Sequence, residues 1–160
     1  MIRQAIVFLG LVLGSSHTSH SADGSMQILV SASGRTETQR EVSVAAIEKA
    51  GLHEIEAFNP YEKRSDTYTG VWMQDFVAAF GTVDTSTLIT RAIDDYEITF
   101  GKEEWQNLRI LIATRVNGEY IDFDGKGPMR IIFPDFDENL EAHRINLPKW
   151  TWMITEIAME

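Results

Sequence analysis

The chain of 160 residues contains no cysteine. No disulfide can staple it, no thiolate can grip a soft metal, and no cysteine nucleophile is available. Histidine is scarce: His17, His20, His53 and His143 are the only four, and the last two stand 90 positions apart, without metal-ligand spacing. Neither a Ser-His-Asp nor a Cys-His set is suggested. Cations are few as well. Lys and Arg number 14 against 24 Asp and Glu, a net charge of -10. That balance excludes the clustered positive surface on which nucleic-acid binding depends. A phosphate-cradling glycine loop is also missing, since Gly125-Lys126-Gly127 is too short and sits in a turn.

The N-terminus has the pattern of a secretory signal peptide. Arg3 supplies a positive start, Ala5 to Leu13 is an apolar run too short to span a bilayer, and small residues follow through Ser21 and Ala22. The expectation is a leader over residues 1–22 and an exported, periplasmic domain over residues 23–160. Without the leader, 13 basic and 24 acidic residues remain, a net charge of -11. No second apolar run is long enough to cross a membrane, and no lipobox cysteine is present. The remaining length suffices for one domain with its own core.

Periodicity divides that domain into many short strands and a few helices. Met26–Ser31 has strand composition. Glu41–Ala50 reads as a weak helix ended by Gly51, and Leu52–Phe58 as a strand. Asn59–Thr69 is rich in turn formers and reads as a polar loop. Met73, Phe76, Val77 and Phe80 fall at i, i+3, i+4 and i+7, which predicts a helix over Val71–Phe80, capped by Thr69 and stopped by Gly81. Trp72 lies off that stripe. Thr87–Ile93 and Tyr96–Phe100 read as strands around Asp94-Asp95. Leu108–Val116 and Glu119–Phe123 flank Asn117-Gly118, a strong hairpin signal. Met129–Phe133 follows a second turn. Asp135–Leu147 is a polar connection with room for a helical turn, and Lys149–Met159 alternates as a final strand. The fold class is α+β, mainly β, in a single domain.

Several residues invite a binding role. Arg130 is set among apolar neighbours in Gly127-Pro128-Met129-Arg130-Ile131-Ile132-Phe133-Pro134. It reads either as a donor to a ligand oxygen or as a snorkelling edge residue. Asp94-Asp95-Tyr96 offers a carboxylate able to accept two parallel N–H bonds; on a strand only one of the aspartates would face a given pocket. A surface turn is the other reading of that pair. Trp150 and Trp152 would share a strand face, as core or as the wall of a pocket for a flat ring.

The order of Thr69-Gly70-Val71-Trp72, Ala92-Ile93-Asp94-Asp95-Tyr96-Glu97-Ile98, Leu111-Ile112-Ala113, Asn117-Gly118, GPMRIIFP and KWTWMITEI resembles the small single-domain members of the oxidoreductase molybdopterin-binding superfamily. Their fold is of the sulfite-oxidase type. The likeness covers roughly residues 67–159 and is closest to exported pterin-binding proteins on this fold. In the catalytic members a cysteine thiolate binds molybdenum, and this chain departs from them there. The resemblance implies a periplasmic protein that binds a pterin without molybdenum and without turnover. It also implies a partner, the periplasmic domain of a membrane-bound cyclic-di-GMP enzyme. The site it implies is Asp95 for the N–H edge of the ring, Arg130 for its oxygen, Trp72, Tyr96 or Trp150 for stacking, and Arg91 and Lys149 beside them. The alternatives are a molybdopterin oxidoreductase lacking the cysteine ligand, and an interaction domain whose pocket has closed.

Overall fold

The computed structural model describes residues 22–34 and 38–160. Apart from Ala22, the expected leader lies outside the described residues. Two five-stranded sheets carry the chain. The first has the order β2 (Thr38–Ser43), β1 (Gln27–Ala32), β10 (Ile154–Met159), β5 (Thr87–Ala92), β6 (Glu97–Gly101). Only the β1–β10 pair is parallel there. The second runs β3 (His53–Asn59), β4 (Arg64–Trp72), β7 (Leu111–Val116). The far edge of β7 is shared by β8 (Glu119–Tyr120) and β9 (Arg130–Ile132).

Alternation sets the inward faces. In β1, Ile28, Val30 and Ala32 are buried; in β5, Leu88, Thr90 and Ala92 are. β7 lies between neighbours and buries four consecutive residues, Leu111 to Thr114, the continuous run expected of a central strand. Both sheets feed one core, with Tyr68, Phe76 and Phe100 fully buried at its centre. Each such ring contributes roughly 1.5–3 kcal/mol by leaving water. α2 (Met73–Phe80) turns Met73 and Phe76 into that core and ends at Gly81, as its stripe predicts.

Four expectations need correction. The segment after Asn59 is a loop only to Lys63, and Arg64–Trp72 is then a strand paired on both sides. Its first half is polar because it is exposed, and composition hid it. Trp72, not Thr69, therefore occupies the N-cap position of α2. Glu41 to Ser43 belong to β2, and the helix there is only α1 (Val44–Ile47) with a 3-10 turn over Glu48–Ala50. The Ser43 hydroxyl starts it by accepting the Ala46 N–H at 3.2 Å. Finally, residues 150–153 precede β10 and are not strand. Two short helices complete the chain, α3 (Lys102–Asn107) and α4 (Glu141–Arg144).

The hairpin signal holds. Asn117 and Gly118 both have positive φ, 52° and 89°, in the turn that joins β7 to β8. After β8 the chain folds tightly back. A Cβ on Gly127 would lie 1.9 Å from the Ile121 carbonyl oxygen, so glycine is required before the cis Pro128.

Candidate functional site

The turn between β3 and β4 organises the surface above β9. Asn59 is buried, and its Oδ1 accepts the backbone N–H of both Tyr61 (3.0 Å) and Glu62 (3.2 Å). Its Nδ2 donates to the Tyr68 hydroxyl at 3.2 Å. One buried amide thereby fixes two adjacent side chains at two different cavities.

The first cavity holds about 250 Å³ and is walled by Tyr61, Tyr96, Trp150 and Trp152, with Asp94 and Thr151 among its polar groups. Tyr61 meets Trp152 edge to face, centroids 5.4 Å apart at 74°. The Tyr61 hydroxyl donates to the Leu147 carbonyl (2.7 Å), and the Tyr96 hydroxyl to that of Pro148 (3.0 Å). Burial, and the neighbouring Tyr96, push the Tyr61 hydroxyl above its ordinary pKa, so it remains a donor.

The wall formed by residues 150–153 is pinned by backbone bonds. Ile131 N–H donates to the Thr151 carbonyl (2.8 Å), Met153 N–H to Lys126 (3.0 Å), and Ile93 N–H to Met153 (3.0 Å). Trp150 is 3% exposed and packs against Phe133 and Phe136. Its indole Nε1 is buried and, among the described residues, has no hydrogen-bond partner.

Asp94 is the one charged side chain on this cavity. The reason lies in the β5–β6 connection. Ile93, Asp94 and Asp95 form a three-residue turn closed by Asp95 N–H to the Ala92 carbonyl and Ala92 N–H to that of Tyr96, both 3.0 Å. Asp95 takes the left-handed position, φ 64°. Asp94 is thereby turned to the cavity, where its Oδ1 also accepts the Tyr96 N–H at 3.3 Å.

The second cavity is larger, about 470 Å³, and is lined by Arg130 together with Glu62, Arg64, Lys126 and acidic residues of the 119–124 segment. It is the weaker candidate because its cations converge on one carboxylate. Arg130 is 5% exposed at its side chain and donates through Nη2 to Glu62 Oε1 at 2.6 Å. Lys126 (3.7 Å) and Arg64 (3.4 Å) approach the same carboxylate.

Of the residues singled out from sequence, the structure thus brings Tyr96 and Trp150 together. The others stand elsewhere. Arg130 lines the second cavity and is paired with Glu62, a residue 68 positions away. Asp94 and Asp95 are both exposed at the turn, and of the two it is Asp94 that lines the cavity. Arg91 lies across the first sheet, bonded by Nε to Glu97 (2.7 Å) and by Nη1 to Glu156 (2.8 Å). Lys149 pairs with Glu104, whose other oxygen accepts the Gly101 N–H at 2.8 Å. Trp72 sits under the Arg109 guanidinium, 4.9 Å from its ring centre, beside a separate cleft with Trp105. Sequence reasoning missed Tyr61, whereas the wall role it left open for the Trp150 and Trp152 indoles is the one Trp152 takes. An aromatic residue inside the turn-forming run Asn59-Pro60-Tyr61 was the available signal.

No family model matches the chain, and no curated protein sequence is similar to it. Its fold is similar to that of the sulfane dehydrogenase SoxCD from Paracoccus pantotrophus, with a TM-score of 0.59 and 12% identity. The match covers 85% of this chain but 38% of that one, so the chain spans well under half the length of its structural neighbour. At that identity the likeness shows the fold alone. The chain has a mixed α+β, mainly β architecture similar to that dehydrogenase's; a molybdopterin is the cofactor that the resemblance noted from the sequence implies. The molybdenum part of such a cofactor does not fit these residues. The sequence offers no thiolate, and among the described residues no three His, Asp or Glu side chains gather into a metal-binding group. The pterin part fits better, because the aromatic cavity has ring faces and a carboxylate.

Proposed function

We propose that this protein binds a pterin, without turnover, in the cavity walled by Tyr61, Tyr96, Trp150 and Trp152. The observation that carries the reading is the small aromatic cavity with a single carboxylate, Asp94, on a fold of this type. A pterin has two flat faces and an amide edge with N–H donors and one oxygen. Stacking on an aromatic face contributes ~0.5–1.5 kcal/mol beyond area burial. Asp94 suits the N–H edge. The volume of about 250 Å³ lies below the range of roughly 300–1,000 Å³ typical of larger ligands. A bicyclic ring is of the appropriate class.

The rest of the reading comes from the family resemblance. It is an exported protein that relays pterin occupancy to the periplasmic domain of a membrane-bound cyclic-di-GMP enzyme. Among the described residues no helix is long and apolar enough to cross a membrane. Calorimetric titration with dihydroneopterin tests the binding step. Saturable binding that weakens in Trp152→Ala supports it, and no heat with any of several reduced pterins refutes it. A pull-down of membrane proteins with and without the pterin tests the relay.

A further inference from the structure

The charges around the aromatic cavity narrow the ligand further. Resting on the pterin reading, we infer that the site takes an unphosphorylated ring and rejects the phosphate ester of the same compound. A phosphate monoester carries a charge of about -1.5 to -2 and needs cations or several free donors. The cavity supplies neither. Its one charged side chain is the carboxylate of Asp94. Both tyrosine hydroxyls spend their protons on the Leu147 and Pro148 carbonyls. The indole N–H of Trp150 is itself buried.

The surrounding cations are already held. Arg91 is bound by Glu97 and Glu156, Lys149 by Glu104, and Arg130 by Glu62. Lys126 lies 4.9 Å from the Trp152 ring centre and is drawn toward the same Glu62 at 3.7 Å. A phosphate at the cavity would therefore meet Asp94 with only Lys126, itself drawn toward Glu62, as a counter-charge. The way around this is a cleft that shares Tyr61, where among the described residues no carboxylate pairs with Lys63 or Arg144.

The test uses the whole purified chain and two probes, dihydroneopterin and dihydroneopterin monophosphate, titrated under one low-salt buffer. The expected result is that the ester binds roughly tenfold more weakly or worse, the scale of an uncompensated charge pair near a surface. Asp94→Asn should narrow that ratio to a few-fold; Asp94→Ser serves if Asn disturbs the fold by circular dichroism. Equal or tighter binding of the ester overturns the inference while leaving the pterin reading intact. Loss of that binding in Lys63→Ala with Arg144→Ala would place the phosphate in the neighbouring cleft. Binding of neither probe overturns the pterin reading and this inference with it.

Discussion

Glu62→Ala isolates the cost of stranding the Arg130 guanidinium. Arg130 is 5% exposed at its side chain, and its one hydrogen bond to a carboxylate is the 2.6 Å contact with Glu62. Breaking a fully buried ion pair by deleting one partner costs about 3–5 kcal/mol, because the remaining charge is left without compensation. Here the Glu62 side chain is 19% exposed, and the cavity beside Arg130 admits water. Both reduce the penalty, and roughly 2–3 kcal/mol is the expected loss. Arg130→Met removes the charge at similar volume, so it should cost no more than ~1.5 kcal/mol. The double variant should then cost little more than Arg130→Met alone, a coupling near 2 kcal/mol. Urea unfolding followed by tryptophan fluorescence measures all four proteins. A loss below about 1 kcal/mol in Glu62→Ala, or strict additivity in the double variant, refutes a structural role for this pair.

Gly70→Ala should cost ~3 kcal/mol or more, because its Cβ would sit 2.1 Å from the Ile112 carbonyl oxygen of the central strand β7, which has no room to retreat; the urea midpoint reports it. Asp95→Gly relieves a left-handed residue (φ 64°) and should raise stability by ~0.5–1 kcal/mol while leaving pterin affinity unchanged. A fall in affinity would return Asp95 to the site. Burial works to raise the Glu48 carboxyl, but hydrogen bonds from Arg115, Thr114 and Tyr120 outweigh it and hold the group below its usual value. A depressed carboxyl contributes stability that is complete above its unfolded pKa of about 4.3 and disappears as pH falls through the folded value. Acid titration of stability should therefore be shallower in Glu48→Gln than in the parent, and identical slopes would contradict the assignment.

Local signals were legible where the deciding contacts are local. The apolar stripe of Met73, Phe76 and Phe80 marks α2 because one face of a helix meets the core. Asn117-Gly118 marks its turn because both positions need positive φ. Arg130 was visible as a cation in an apolar strand, yet its partner Glu62 lies in a turn brought close only by the pairing of β4 with β7 and of β7 with β9. Nothing in the sequence links those positions. The indoles Trp150 and Trp152 misled for a related reason. Their spacing mimics a strand, but the backbone there is tied to β9, to Lys126 and to Ile93 instead of continuing β10. At Asp94-Asp95 the question of which carboxylate borders the cavity was settled by a bulged turn and not by strand alternation.

Asn59 works as a common hinge-pin for two neighbours with unrelated duties. Its single carbonyl oxygen holds the amide of Tyr61, which closes the aromatic wall, and the amide of Glu62, which balances the guanidinium beneath β9. Tyrosine and glutamate thus share one anchor, and a substitution at Asn59 would slacken the aromatic wall and the cationic cluster together.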